Sequence, residues 1–352
     1  MTTKKLEVGI LGATGMVGQR LVSLLENHPW FEVKWLGASD RSAGKVYAEA
    51  CNWRLRDPMP AGARELPVYE CVPDGKAPQL LFASLDGKVA GEVEGAFARA
   101  GHAVVSNSSS YRMAPDVPLV IPEVNSDHLG LIRTQRRDRG WGGMIVTNPN
   151  CTAIGLVMSL RPLINAFGLA KVIMTSMQAV SGAGYPGVPT LDILGNVIPY
   201  IGGEEEKVEA ETQKLLGSLT DGQVQPGDFA VSAHCNRVMV EDGHTETVSV
   251  ALRSKASREE LLAAWQDFRA APEVRDLPSA PRRPIVLREE ADRPQPKFDV
   301  NTEGGMAAVI GRVRPCPVLD FKYVVLSHNT IRGAAGAAIL NGELMKAEGY
   351  LD

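Results

Sequence analysis

The run Thr147-Asn148-Pro149-Asn150-Cys151-Thr152 stands immediately before apolar residues at Ile154, Val157, Leu160, Leu163 and Phe167. That spacing is helical and puts Cys151 at a helix N-terminus, where free amides and the helix dipole favour a thiolate. A buried structural cysteine is the ordinary alternative and suits Cys51, Cys71, Cys235 and Cys316. The small polar neighbours of Cys151 make it the nucleophile candidate. A second run, Gly12-Ala13-Thr14-Gly15-Met16-Val17-Gly18, lies between a β-type segment and a helical one. Glycine there lets the chain turn sharply and lets backbone amides approach a pyrophosphate, although G-x-x-G-x-x-G spacing alone also fits a turn without a ligand. A thiolate beside a nicotinamide would attack an activated acyl group, with hydride exchanged through a thioester. Such chemistry needs a proton donor and acceptor. Among six histidines, His244 in Val240-Glu241-Asp242-Gly243-His244 follows an Asp-Gly turn and precedes a strand, so it projects from a sheet end. His28, His102 and His128 are expected on surface segments, and His234 and His328 as hydrogen-bonded structural residues.

The elements that must position these groups are readable in outline. β-type runs at 6–11, 31–38, 80–83 and 103–106 are separated by segments long enough for crossover helices, which implies a parallel sheet of Rossmann type. The second run ends in Ser39-Asp40-Arg41-Ser42, where a ribose reader belongs. A lone acid there suits NAD, and Arg41 flanked by Ser39 and Ser42 suits the 2'-phosphate of NADP. The cofactor-binding candidates are Gly12, Thr14, Gly15, Met16, Val17, Ser39, Arg41 and Ser42, together with Ser84 beyond the run at 80–83. After about residue 150 longer β-like runs at 171–180, 247–252, 306–314 and 322–326 alternate as an antiparallel sheet does, with helical patterns at 152–167, 204–216, 258–268 and 333–345. This gives an α/β Rossmann-type domain at 1–150, joined by a C-terminal helix at 329–352, and an α+β domain with a mainly antiparallel sheet at 151–328.

Composition limits the partners. The chain has 352 residues, with 37 Lys plus Arg against 41 Asp plus Glu, a formal charge of −4 and a pI of about 6.0. Neither nucleic acid nor an anionic membrane is implied by that balance, so an anionic ligand must meet local cations. The basic run Arg133 to Arg139 has no interleaved aromatics and is read as a solvated face. Five cysteines without C-x-x-C spacing suggest neither a zinc site nor disulfides and are expected reduced, in the cytoplasm. The apolar windows fall short of the ~20 residues of a membrane span.

GATGMVGQR, SSSYRM with VPLVIPEVN, TNPNCTAI, MQAVSGAGYPGVP, IPYIGGEEEKVEAET, SAHCNRVMVEDGHTETV and RPCPVLDFKYVVLSHNTIRGAAGAAILN occur in that order over nearly the whole chain. In these stretches the sequence resembles the aspartate-β-semialdehyde dehydrogenase family, in its archaeal and fungal branch. The resemblance implies Cys151 as nucleophile, His244 as acid/base and Gln178 as the glutamine that orients the intermediate. It implies Arg237 on the substrate α-carboxylate, Glu204 on the α-amino group, and Arg112 and Lys207 on phosphate. Ser181 and Gly182 would lie beneath the cofactor and Asn329 against the nicotinamide amide. Ser106-Asn107-Ser108 and Gln295-Pro296-Lys297 depart from the family's usual Ser-Asn-Ala and arginine at those places. The implied reaction is NADPH-dependent reductive dephosphorylation of L-aspartyl-4-phosphate to aspartate semialdehyde, in amino-acid biosynthesis, without a metal and in a homodimer or homotetramer. Malonyl-CoA reduction on the same scaffold is the neighbouring alternative, and an inactive dinucleotide-binding or assembly protein is the alternative of another class.

Overall fold

A computed structural model describes residues 4–352. Strands β1 (Leu6–Leu11), β2 (Phe31–Ala38), β3 (Val68–Glu70), β4 (Leu80–Ala83), β5 (Ala103–Ser106) and β6 (Met144–Thr147) pair in parallel in the order β3-β2-β1-β4-β5-β6. β4, β5 and β6 are buried along their whole length, as strands covered by helices on both faces must be. The order reverses between β1 and β4, and the crevice beyond their C-terminal ends is where this topology receives ligands. The glycine-rich loop and Ser84 lie there, with Ser84 N–H donating to the Leu11 carbonyl at 2.9 Å.

Beyond the Cys151–Phe167 helix come β7 (Leu169–Gln178), a small hairpin of β8 (Ser218–Thr220) and β9 (Gln223–Gln225), then β10 (Ala230–Arg237), β11 (His244–Leu252), β12 (Ile285–Arg288), β13 (Ala308–Pro315) and β14 (Phe321–Ser327). The second sheet runs β10-β7-β11-β14-β13-β12. Its four inner strands are antiparallel, as the alternating sequence implies; the edge strands β10 and β12 pair in parallel and were not anticipated. Along β11, His244, Glu246, Val248 and Val250 are buried in alternation. That period of two aims His244 at the interior along with the apolar residues.

Several expectations change. His28 and His128 are buried, not on the surface: His28 Nε2 meets Glu343 at 2.7 Å and His128 Nδ1 meets Asn125 at 2.9 Å. His234 is exposed, while Cys71 and Cys316 are only half-buried. The final helix begins at Gly336, preceded by a π-helical turn, Ile331–Ala335. Its Ile339, Leu340 and Leu344 join the core of the parallel sheet with Leu80, Phe82 and Val105, so the chain's end returns to its beginning. Arg332 in the π-turn is wholly buried and forks onto Glu123 with Nη1–Oε1 at 2.6 Å and Nη2–Oε2 at 2.7 Å. Replacing Glu123 by Ala strands that guanidinium, and urea unfolding should show a loss of about 3–5 kcal/mol. A loss under about 1 kcal/mol would contradict this account of the pair.

Candidate active site

Asn150 caps the Cys151–Phe167 helix: its Oδ1 accepts from the amides of Thr152 at 2.8 Å and Ala153 at 3.1 Å. Its Nδ2 donates to Glu204 at 2.9 Å, and its own backbone N–H donates to Glu211 at 2.5 Å. The residue before the nucleophile is therefore fixed at both its side chain and its backbone. From the other direction, His244 begins β11 immediately after Gly243, whose φ of 102° few other residues adopt. His244 Nε2 lies 3.2 Å from Cys151 Sγ. Ala179 N–H donates to Nδ1 at 3.1 Å. A backbone amide can only donate, so Nδ1 carries the lone pair and the neutral ring turns Nε2–H toward the sulfur.

The resting charges differ from the thiolate expected at a helix N-terminus. Burial, reinforced by Glu204, pushes the Cys151 thiol up to about 12 against the opposing pull of Arg112 and Arg237. Burial, then Arg237 and His328, brings His244 down to about 3. Asn150 has taken the amides of Thr152 and Ala153, and the Cys151 amide that remains pulls the thiol down less than burial pushes it up. The resting pair is a thiol and a neutral imidazole.

Two neighbouring strand ends supply further groups: Gln178 closes β7 and Arg237 closes β10, side by side in register. Gln178 Nε2 donates to Glu204 at 3.1 Å and to Ser176 Oγ at 3.2 Å, and Arg237 Nη1 to the Ala179 carbonyl at 2.7 Å. Glu204 is buried between Asn150 and Gln178 rather than lying on a solvated helix end. Gly182 and Gly333 are close-approach positions. A Cβ on Gly182 would sit 2.9 Å from Arg237 Nη1 and 3.1 Å from His244 Cε1, and one on Gly333 would sit 2.6 Å from Cys151 Cβ. Asn329 donates to Ser181 Oγ at 2.8 Å and accepts from Gly243 N–H at 2.8 Å, so the three segments carrying Ser181, His244 and Asn329 are stitched together.

Arg112, buried, reaches in from the loop after β5, with Nη1 on Glu211 at 3.1 Å and Nη2 on the Asn107 carbonyl at 2.7 Å. Lys207 is half-buried on the Glu204–Leu215 helix and makes no ion pair or side-chain hydrogen bond among the described residues. The structure thus brings Cys151, His244, Gln178, Glu204, Arg237 and Arg112 into one connected network and leaves Lys207 beside it. Sequence reasoning missed Asn150 and Glu211. The cap signal of Asn150 was available, and Glu211 falls two helical turns after Glu204 on the same buried face.

Two glycines of the loop after β1 are required by its own close packing. Gly12 has a φ of 79°, and a Cβ there would meet the Ser84 carbonyl oxygen at 2.4 Å; one on Gly18 would meet the Gly12 carbonyl oxygen at 2.2 Å. Gly15 precedes the Met16–Leu24 helix without a side-chain cap, leaving its first-turn amides, those of Met16 and Val17 among them, for an anion. At the end of β2, Ser39 and Arg41 are exposed in a tight turn, while Asp40 accepts from the Arg41 backbone at 2.8 Å.

The sequence profile of the semialdehyde dehydrogenase NAD binding domain matches residues 7–132, and that of the semialdehyde dehydrogenase dimerisation domain matches residues 160–332. Aspartate-semialdehyde dehydrogenase of Methanothermobacter thermautotrophicus is 50% identical over 341 residues, covering 96% of this chain and 98% of that one. The Saccharomyces cerevisiae enzyme of the same name is 44% identical over 368 residues, covering both chains fully. The chain belongs to the aspartate-semialdehyde dehydrogenase family. Among solved structures, that of the Candida albicans family member with NADP superposes with a TM-score of 0.90 at 42% identity, covering 98% of this chain and 99% of that one. The Vibrio cholerae aspartate semialdehyde dehydrogenase II complexed with ASA gives 0.77 at 25% identity, over 99% and 100%.

The resting protonation has a measurable consequence. Thiolate is the reactive form, so the rate of Cys151 alkylation by iodoacetamide in the unliganded protein should climb about tenfold per pH unit from about pH 6 to about pH 9 without levelling. A plateau beginning near about pH 6 would show a thiolate already formed and contradict the assignment.

Proposed function

We propose that this protein reduces L-aspartyl-4-phosphate to L-aspartate 4-semialdehyde and phosphate, reversibly, with NADPH, through a thioester on Cys151. The observation that carries the reading is the 3.2 Å approach of Cys151 Sγ to His244 Nε2, beside two buried arginines. In the reductive direction the sulfur bonds to the acyl carbon and the carbon–oxygen bond to phosphate breaks, with the thiol proton leaving on the phosphate. Arg112, with Lys207 at the edge of the site, stabilises the departing anion. Arg237 takes the substrate α-carboxylate with its planar fork, and Glu204 takes the α-ammonium. The bound cofactor supplies hydride to the thioester carbon. His244 Nε2–H hydrogen-bonds first the oxyanion and then the sulfur as the hemithioacetal anion collapses to aldehyde and thiolate, stabilising both charges from one position, and the released thiolate takes its proton back from water. Gln178, held by Glu204 and Ser176, orients the intermediate.

Gly12, Thr14, Gly15, Met16, Val17 and Ser84 would hold the pyrophosphate region, Ser39, Arg41 and Ser42 the 2'-phosphate, and Ser181, Gly182 and Asn329 the nicotinamide end. The same reading assigns residues 1–150 with 329–352 to cofactor binding and 151–328 to catalysis and dimerisation, in a homodimer or homotetramer of the cytoplasm. In its support, all five cysteines are free, and no described helix is long and apolar enough to cross a membrane.

The test is phosphate-dependent oxidation of aspartate semialdehyde with NADP, followed at the reduced nicotinamide. The wild type should turn over, Cys151→Ala should not, and Arg41→Ala should raise the KM for NADP about tenfold or more while leaving that for NAD unchanged. Preference for malonate semialdehyde with CoA over aspartate semialdehyde with phosphate would overturn the substrate assignment.

A further inference from the structure

The Glu204–Leu215 helix buries more than the glutamate at its start. Glu211 is almost wholly buried, and its two oxygens are committed to different segments: Oε1 accepts from Arg112 Nη1 at 3.1 Å and Oε2 from the backbone N–H of Asn150 at 2.5 Å. One partner is the cation of the anion site, and the other is the residue directly before the nucleophile. Three residues further on, Lys214 Nζ donates to the carbonyls of Arg112, Ala114 and Val117 at 2.7, 2.8 and 2.9 Å, clamping the loop that carries Arg112. Resting on the reaction proposed above, we propose that Glu211 is a positioning residue that sets the distance between the anion-binding guanidinium and the attacking sulfur, and tempers the charge that Arg112 offers to phosphate.

The chemistry of the bridge supports both parts. A carboxylate is the one side chain with two acceptor-only oxygens, so it can serve two donors at once. An amide in its place serves one and turns an N–H against the other. Each terminal nitrogen of Arg112 spends one N–H, on Glu211 or on the Asn107 carbonyl, leaving the rest of the fork for a ligand. Burial pushes the Glu211 carboxyl up, and Arg112 and the Asn150 amide oppose that shift, so its ionised form depends on the two groups it holds. An anion arriving at Arg112 meets a cation already half compensated, which limits how tightly phosphate is retained.

The experiment is steady-state kinetics of Glu211→Gln in the phosphate-dependent oxidation. The expected result is a split. kcat falls about 100-fold, because the sulfur and the anion lose their common anchor. The KM for phosphate falls about threefold or more, because no carboxylate shares the guanidinium, and the KM for NADP stays put. A purely structural role would lower the thermal midpoint and raise all the KM values together. A kcat within about twofold of wild type, or a phosphate KM that stays or rises, overturns the proposal. Should E211Q not fold, Glu211→Asp decides: charge kept but withdrawn by one methylene should cost about tenfold in kcat without lowering the phosphate KM, and wild-type kcat overturns the idea. Wild-type protein inactive toward phosphate and aspartate semialdehyde would instead sink the reaction assignment, so the two failures are separable.

Discussion

The contact between Cys151 and His244 is the constraint around which the remaining features are arranged. Neither residue is near the other in the chain; a helix start and a strand start from different parts of the fold are brought to 3.2 Å. Holding that distance requires fixing both ends. Asn150 and the carboxylates of Glu204 and Glu211 fix the cysteine end, and the Ala179 amide fixes the imidazole. Glycine at 182 and 333 permits the approach, since side chains there would press on the pair. Burial is what makes the geometry useful and also what makes it costly. It keeps the resting sulfur protonated and the ring neutral, so the developing charge is stabilised only when substrate is in place.

Arginine and carboxylate partners extend the same logic. Arg112 and Arg237 are buried cations whose desolvation has to be compensated, and each spends a guanidinium nitrogen on a backbone carbonyl, Asn107 for the first and Ala179 for the second. Both guanidinium groups lie close enough to Cys151 to pull its thiol down. Lys207 lies on the same helix as the buried Glu204 and Glu211 and, among the described residues, makes no ion pair or side-chain hydrogen bond with either.

How much of this the sequence discloses depends on the range of the interaction. The parallel sheet, its glycine loop and the helix after Cys151 are local patterns of period two or near four, and they lie where the pattern puts them. The edge strands β10 and β12 escaped because neither shows a sustained apolar alternation: β10 carries Ser232, His234 and Asn236, and β12 is four residues long. Buried His28 and His128 escaped because the residues that cover them come from elsewhere in the fold. The resemblance supplied roles for Gln178, Arg237 and Glu204 that spacing alone does not reveal. The thiolate expectation did not reckon with burial or with the Glu204 carboxylate, both of which push the thiol up and neither of which the local sequence discloses, although the Asn150 cap on the Thr152 and Ala153 amides was legible.

The central claim is covalent, so the most direct measurement is covalent too. Intact-protein and peptide mass spectrometry should be run after mixing the enzyme with aspartate semialdehyde and NADP in the absence of phosphate, quenched in acid. The account requires an aspartyl acyl adduct on the peptide containing Cys151, discharged when phosphate is added. Turnover with no adduct, or an adduct on any other residue, would contradict it.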